Sequence, residues 1–488
     1  MKNMILRMSA AILLIMLGTV AFAQVKASKT APNGITNPPQ FIIVGSDDNT
    51  NAQAINWMAD VLSNSSNAEG YKGYGSFYIN TQGWNQARQD AVKRAYGMDH
   101  SIGNHTASHI RCVGGTNWND PITGNHPDNL SIRKSEQEIY NEILAAQNAM
   151  IGIGILKEHQ YGFRTPFLTY SDSTYSAMYK IGFLYDCSIN AALPVANANF
   201  PYTLDIMPGQ PASTVRPVGN VPPDNQSSWW GTGYDGQYRP GNPIREHKGL
   251  WVIPASLIEI DPADRADVLA QGAASYIPGS GWTVAGLDYN LWNEAKANEQ
   301  QSVRAYMNTV KKTLAGNRAP LHFGFHSQYY FVRGDPWDGA MYDLPIDARQ
   351  RIFEEFVRQA SELPDVFFVT GDMVIAWMQN PCSAADFKPE DYLRKAAIPT
   401  SVVTTESTPG VSFAGIQNGQ ITLQLVNAGN YTVELYNSTG RLVQKVDMKD
   451  AVSGINATGI KINGLSNGVF ILNVKQNGVS VLNQKISI

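Results

Sequence analysis

From about Gln40 to Lys395, short apolar runs alternate with amphipathic helical stretches, and no other feature of the chain restricts its fold so strongly. The runs FIIVGSDD, YGSFYINT, YGFRTPFL, FLYDCSI, LWVIPASLIEI, LHFGFHS and VFFVTG read as strands. Between them, AQAINWMADVLS, WNQARQDAVKRAYG, SIRKSEQEIYNEILAAQNAM, EQQSVRAYMNTVKKTL and DARQRIFEEFVRQASEL carry the apolar stripe of surface helices. Repeated alternation of this kind calls for a parallel sheet under helical cover, either open or closed into a (β/α) barrel. A Pro-, Gly- and Trp-rich insertion, residues 190–249, interrupts it and reads as long irregular loops.

The pattern stops at residues 396–412, AAIPTSVVTTESTPGVS, whose Thr, Ser and Pro content reads as a linker. Residues 413–488 alternate with period two, have Gly and Asn at the turns and show no helical pattern, so a small all-β sandwich is expected there. At the other end, Lys2 and Arg7, an apolar run and Ala21-Phe22-Ala23 give residues 1–23 the form of a secretory signal peptide, with 24–39 as a polar leader. No later stretch is apolar for long enough to span a bilayer, so no transmembrane anchor is expected. Loss of Lys2 and Arg7 with the signal takes the formal charge from −4 to −6, which offers no basic surface for nucleic acid. Three cysteines, Cys112, Cys187 and Cys382, leave at least one outside any internal bridge, and a Cys112–Cys187 bridge stays open.

Titratable residues gather where the strands end. Asp47 and Asp48 close the first strand, and adjacent carboxylates at a strand end can point in different directions, one to a metal and one free as a base. In GNHTASH, His105 and His109 are four residues apart, so a helix or tight turn would bring both rings to one side. Arg164 ends the strand of GFRTPFL, Asp186 that of FLYDCSI, and His322 and His326 alternate with apolar residues in LHFGFHS. In a parallel barrel such ends form the active-site rim.

In this order, the motifs resemble those of the polysaccharide deacetylases of carbohydrate esterase family 4, within them the chitin-deacetylase-like branch, from about Phe41 to Pro381. The resemblance implies a distorted (β/α) barrel, a general base at Asp47, and a divalent metal held by Asp48, His105 and His109. Zinc is expected first, with cobalt or another divalent ion able to replace it. Arg164 would pair with the base, and the backbone N–H of Phe167 would help form an oxyanion hole. Asp186 stands where the family has an acidic strand end, although the usual Asp-Trp pair is missing; with Phe167 it is expected against the substrate. Two further departures are Ser46 for the usual Phe and Asn49 for the commoner Gly.

Four strand residues span roughly 13 Å, so only one of the two histidines of LHFGFHS can reach the rim. The later, His326, is expected there as the general acid, with His322 deeper as a hydrogen-bonded core or supporting residue. The implied activity is removal of N-acetyl groups from an N-acetylglucosamine-containing polysaccharide. An acetyl-xylan-type O-acetyl esterase is the alternative on the same scaffold, and an inactive glycan-binding relative is disfavoured by the intact Asp-Asp, His-Thr-x-x-His and Arg-x-Pro sets. The C-terminal module resembles the type IX secretion sorting domains of Bacteroidota through YNSTGRLV and GLSNGVF, which implies secretion machinery as a partner and a secreted or cell-surface location.

Overall fold

The computed structural model describes residues 25, 27–110, 112, 134–168, 170, 172–189, 195–205, 247–285, 288–334 and 341–397 of the larger unit. In the C-terminal module it describes 411–417, 419–437, 442–462, 465, 469–476 and 479–487. The segment read as a signal peptide, most of the 190–249 insertion and most of the segment read as a linker lie outside the described residues.

The strands of the larger unit are β1 (Gln40–Ser46), β2 (Ser76–Ile79), β3 (Ser101–Asn104), β4 (Gly162–Phe163), β5 (Tyr185–Asp186), β6 (Tyr202–Leu204), β7 (His247–Val252), β8 (Leu257–Glu259), β9 (Thr283–Ala285), β10 (Leu321–Phe325) and β11 (Val366–Phe368). One sheet runs in the order β10-β1-β2-β3-β4-β5-β7-β6. Its pairs are parallel except β6 against β7, and β11 shares β1 with β10. The seam between its ends is bridged where the Ser256 backbone N–H donates to His322 O (2.8 Å) and Ser256 Oγ accepts from the His322 backbone N–H (2.9 Å). This is the distorted barrel that the family resemblance implied, one of the two arrangements the alternation allowed.

Strand β1 shows why the barrel forms. Its seven residues are all buried, as a strand covered on both faces must be. Ile42 and Val44 pack outward into the cluster that also holds Leu62, Tyr306, Phe353 and Phe356. Phe41 and Ile43 point the other way, into a cluster with Tyr78, Tyr185, Trp251 and Trp377. On β10, Leu321, Phe323 and Phe325 join the outer cluster, so period two turns His322 and His326 inward.

The helices α1 (Ala52–Asn64), α2 (Gln86–Gly97) and α3 (Glu136–Gly152) follow the expected stripes. So do two further helices, Glu299–Ala315 and Ile346–Ser361. Ser135 and Glu138 close a capping box at the start of α3, and Asn298 and Gln301 close another, each donor satisfied by the other residue's side chain. The leader is not a loose arm: the Thr203 N–H of β6 donates to Val25 O (2.9 Å), the Val25 N–H donates to Thr203 Oγ1 (3.0 Å), and the Phe200 N–H donates to Ser28 O (2.8 Å).

Among its described residues, the C-terminal module has seven strands, β12 (Val411–Gln417), β13 (Gln420–Leu425), β14 (Gly429–Asn437), β15 (Leu442–Ala451), β16 (Gly454–Lys461), β17 (Val469–Gln476) and β18 (Val479–Ser487). They form two antiparallel sheets, β12-β13-β16 and β15-β14-β17-β18, around a core of its own that includes Leu423, Val433, Leu435 and Leu472. β12 begins at Val411, two residues inside the segment read as linker.

Candidate active site

Strand register delivers the site. Ser46 pairs with Phe325 and the Asp47 N–H donates to Phe325 O (2.7 Å), which sets Asp47 beside His326 just past the ends of β1 and β10. Asn104 pairs with Phe163, which sets His105 beside Arg164 at the ends of β3 and β4. The chain then leaves the strands through left-handed backbone at Asp48, Asn49, Thr106, His109 and Phe167, with φ between 54° and 65° for each. Non-glycine residues in that region cost of order 1–3 kcal/mol each and persist where surrounding structure holds them, as here past the ends of β1, β3 and β4.

Asp48, His105 and His109 converge. Residues 105–109 form an irregular turn rather than a helix, yet the two rings lie 5.1 Å apart between centroids. Asp48 Oδ1 is 3.1 Å from His109 Nε2 and 3.6 Å from His105 Nε2. Ligands about 2.0–2.1 Å from one tetrahedral ion lie roughly 3.4 Å apart, so these separations fit a shared divalent cation. One potential ligand atom from each residue lies within 4.8 Å of the others. His105 Nδ1 lies 2.7 Å from the Arg164 carbonyl, which must receive a proton, so Nδ1 carries the hydrogen and Nε2 presents its lone pair. Burial, then the neighbouring His109, push the His105 pKa down to about 3, keeping the ring neutral. Burial alone would raise the Asp48 carboxyl, but the charge and hydrogen bond of His109, with His105 and His326, hold it well below the usual range.

Asp47 is placed differently. It lies outside this triad, and its Oδ2 is 3.2 Å from Arg164 Nε. Burial outweighs the arginine and lifts the Asp47 carboxyl to about 6. His326, 8% exposed, has its Nδ1 3.3 Å from Asp288 Oδ1, and its backbone N–H donates to Asp288 Oδ2 (2.9 Å). Burial pulls the His326 pKa down, but the hydrogen bond and charge of Asp288 more than offset it and the ring titrates above its ordinary value. The site therefore holds a weakly acidic carboxyl and a proton-retaining imidazole next to a ligand set.

A family model described as polysaccharide deacetylase matches residues 69–185, and another, described as a secretion system C-terminal sorting domain, matches residues 417–488. The chain carries a polysaccharide deacetylase domain and a secretion sorting domain. Chitin deacetylase 8 of Bombyx mori is 23% identical over 358 residues, which are 73% of this chain and 75% of that protein. Among solved structures, the Xyl-CE4 domain of a multidomain xylanase from the hindgut metagenome of Trinervitermes trinervoides is 17% identical, covering 32% of this chain and 58% of that one, with a TM-score of 0.23. The chitin deacetylase of Colletotrichum lindemuthianum is 14% identical, covering 33% and 59%, with the same TM-score. The matched part thus spans less than two thirds of either solved chain.

The deacetylase match includes His105, His109 and Arg164 but stops short of Asp47, Asp48, Asp288 and His326, which join them through the barrel. Two residues sit differently from what their motifs suggested. Asp186 is fully buried: its oxygens accept from Ser188 Oγ (2.6 Å), Ser188 N–H (3.0 Å) and Tyr175 OH (3.2 Å), and Ser188 Oγ in turn accepts from the Thr165 N–H. It braces the Arg164 loop, while the carboxylate beside His326 is Asp288, which no motif marked. His322 is buried inside the barrel as expected, but both ring nitrogens lack a hydrogen-bond partner among the described residues. Phe167 does reach the site, its ring 4.6 Å from that of His109. Sequence reasoning also missed Asn80, past the end of β2, and Gln328, both of which donate to Asp48. Cys112 and Cys187 are both buried and are not bridged.

The sorting domain marks the chain for export. Among the described residues no helix is long and apolar enough to cross a membrane.

Proposed function

We propose that the chain is an exported, metal-dependent deacetylase that removes acetyl groups from the amino sugars of an N-acetylglucosamine-containing polysaccharide, zinc being the first candidate metal. One observation carries the reading: the two oxygens of Asp48 look in different directions, Oδ1 toward His109 and His105 and Oδ2 toward His326 Nε2 at 4.0 Å. A ligand set and a proton donor thereby share one strand-end mouth.

A divalent cation held by Asp48, His105 and His109 would lower the pKa of water toward 7 and polarise the acetyl carbonyl. Asp47, steered by Arg164 and lifted toward neutrality, takes the proton of the attacking water. The Phe167 backbone N–H, at a left-handed residue beside His109, is the donor offered to the developing oxyanion. His326 holds a proton at Nε2 while Asp288 fixes its Nδ1 side, and it delivers that proton to the departing amine. An amine leaves badly unless protonated, so an acid held in place by a buried carboxylate suits amide cleavage more than ester cleavage. The C-terminal module serves export and takes no part in the chemistry.

The test is acetate release from N-acetylated chito-oligosaccharides and from O-acetylated xylan, before and after chelation and after return of zinc or cobalt. The reading expects metal-dependent release from the chito-oligosaccharides. Release from xylan alone would make the chain an esterase, and release unaffected by chelation would overturn the metal role.

A further inference from the structure

The acid histidine is followed at once by residues that reach back to the ligand loop. Ser327 Oγ donates to Asn49 Oδ1 (3.1 Å), its backbone N–H donates to Ser46 Oγ (3.2 Å), and Ser46 Oγ donates to Asn49 Oδ1 (2.7 Å). The two departures from the family motif, Ser46 and Asn49, are thus partners in one buried hydrogen-bonded staple. It fixes the single 3₁₀ turn Ser327–Tyr330 against the end of β1. From that turn Gln328, 2% exposed, extends its amide to Asp48 Oδ2, with Nε2 at 3.1 Å.

An ionised carboxylate only accepts hydrogen bonds, so the NH2 end of Gln328 must face it. Gln328 Oε1 is left without a hydrogen-bond partner among the described residues, so the amide acts here through its donor end. The next donor to Oδ2 is His326 Nε2, 4.0 Å away. A movement of about 1 Å would convert that approach into a charge-assisted hydrogen bond of about 2.7–2.9 Å. His326 would then turn toward Asp48 the very nitrogen that has to meet the leaving group.

We propose that Gln328 is a positioning residue, a neutral donor that occupies Asp48 Oδ2 and so keeps both the ligand carboxylate and His326 in their working orientations. This rests on the deacetylase reading above. Its consequences separate into two readouts. The first is metal affinity, since a ligating carboxylate loses its orienting partner; such partners are typically worth 10–100-fold. The second is leaving-group dependence, since a diverted acid harms cleavage of an amide more than that of an activated aryl acetate, whose leaving group needs no proton.

The experiment uses the full-length protein and near-isosteric Gln328→Met, with Gln328→Leu serving if the first does not fold. Zinc affinity is measured by competition with a chelating dye, and cobalt loading by its visible spectrum. Acetate release is compared on a chito-oligosaccharide and an aryl acetate. The expected result is a 10–100-fold loss of zinc affinity, with kcat on the amide falling at saturating metal about tenfold further than on the aryl acetate and KM little changed. Gln328→Asn, which keeps the amide on a shorter stem, recovers part of both losses. In a His326→Ala background, Gln328→Met leaves the amide-to-ester ratio unchanged, because the acid it restrains is gone. Wild-type metal affinity and an unchanged ratio in folded Gln328→Met, beside an active wild type, would overturn this inference alone. A wild type that binds no metal and releases no acetate would overturn the proposed function and this inference with it.

Discussion

Replacing Asp288 with Asn removes the charge that keeps His326 protonated. The carboxylate lies 3.3 Å from His326 Nδ1 and is wholly buried. Unit charges at that distance interact by about 5 kcal/mol at an effective dielectric of about 20, an upper bound on the coupling. Opposite charges within hydrogen-bonding range move a pKa by about 1–3 units. His326 in the intact site titrates above its ordinary value because Asp288, with smaller help from the charges of Asp48 and Asp47, offsets burial; Asp288→Asn leaves only those weaker charges against it. With the protonated ring as the proposed acid, activity should be lost as pH rises through its pKa, and the substitution should move that alkaline limb of kcat to lower pH by about 1–3 units. Each unit lowers the protonated fraction on the alkaline side about tenfold, equivalent to about 1.4 kcal/mol. The Asn side chain keeps the shape but replaces one acceptor by a donor, which costs about 1–3 kcal/mol of stability, so thermal unfolding is measured alongside. The assay is kcat for acetate release from a chito-oligosaccharide across the neutral range. A limb that stays in place, or a loss that is equal at every pH, would refute the pairing as the origin of the acid.

Asp47→Asn should retain the metal and a wild-type fold while losing about 10²–10⁴-fold in acetate release, and near-normal turnover would assign the base elsewhere. Gly45→Ala should destabilise the barrel by about 1–3 kcal/mol in a denaturant titration, because its Cβ would stand 2.3 Å from His322 Nε2 and 3.2 Å from the Tyr78 ring. In a His322→Ala background that cost should shrink by at least about 0.5 kcal/mol, and simple additivity would contradict the contact. A chain ending at Lys395 should fold and release acetate as the full chain does, since the C-terminal strands have their own core, but should not leave the host cell. Its appearance outside the cell would refute the sorting role.

The barrel was legible because β1 and β10 are apolar runs with a strong β preference, and because the main helices carry clear stripes. β3 was not legible: Ser101–Asn104 has one apolar residue in four and is a strand only because β2 and β4 flank it. The helix Gly371–Gln379 escaped for the opposite reason, since all but its last residue are buried and no polar face gives it a period. At the site, Asp47, Asp48, His105, His109, Arg164 and His326 announced themselves by residue type and strand-end position. Asp288, Asn80 and Gln328 act through side chains that ordinary surface loops also carry. Their partners are 38, 32 and 280 positions away in sequence, so only the closed barrel reveals them. Asp186 could not be placed from sequence, because a strand-end carboxylate looks the same there whether it faces a ligand or, as here, bonds its own Ser188.

The most direct test of the account is metal content and acetate release measured together on wild type and His105→Ala. The wild type should carry about one divalent ion per chain and release acetate from N-acetylated chito-oligosaccharide. His105→Ala, folded and assayed at the same metal concentration, should lose tight binding and turnover in parallel, because two ligands cannot hold a catalytic ion as three do. Full metal occupancy in folded His105→Ala, or undiminished acetate release from it, would contradict the Asp48–His105–His109 centre.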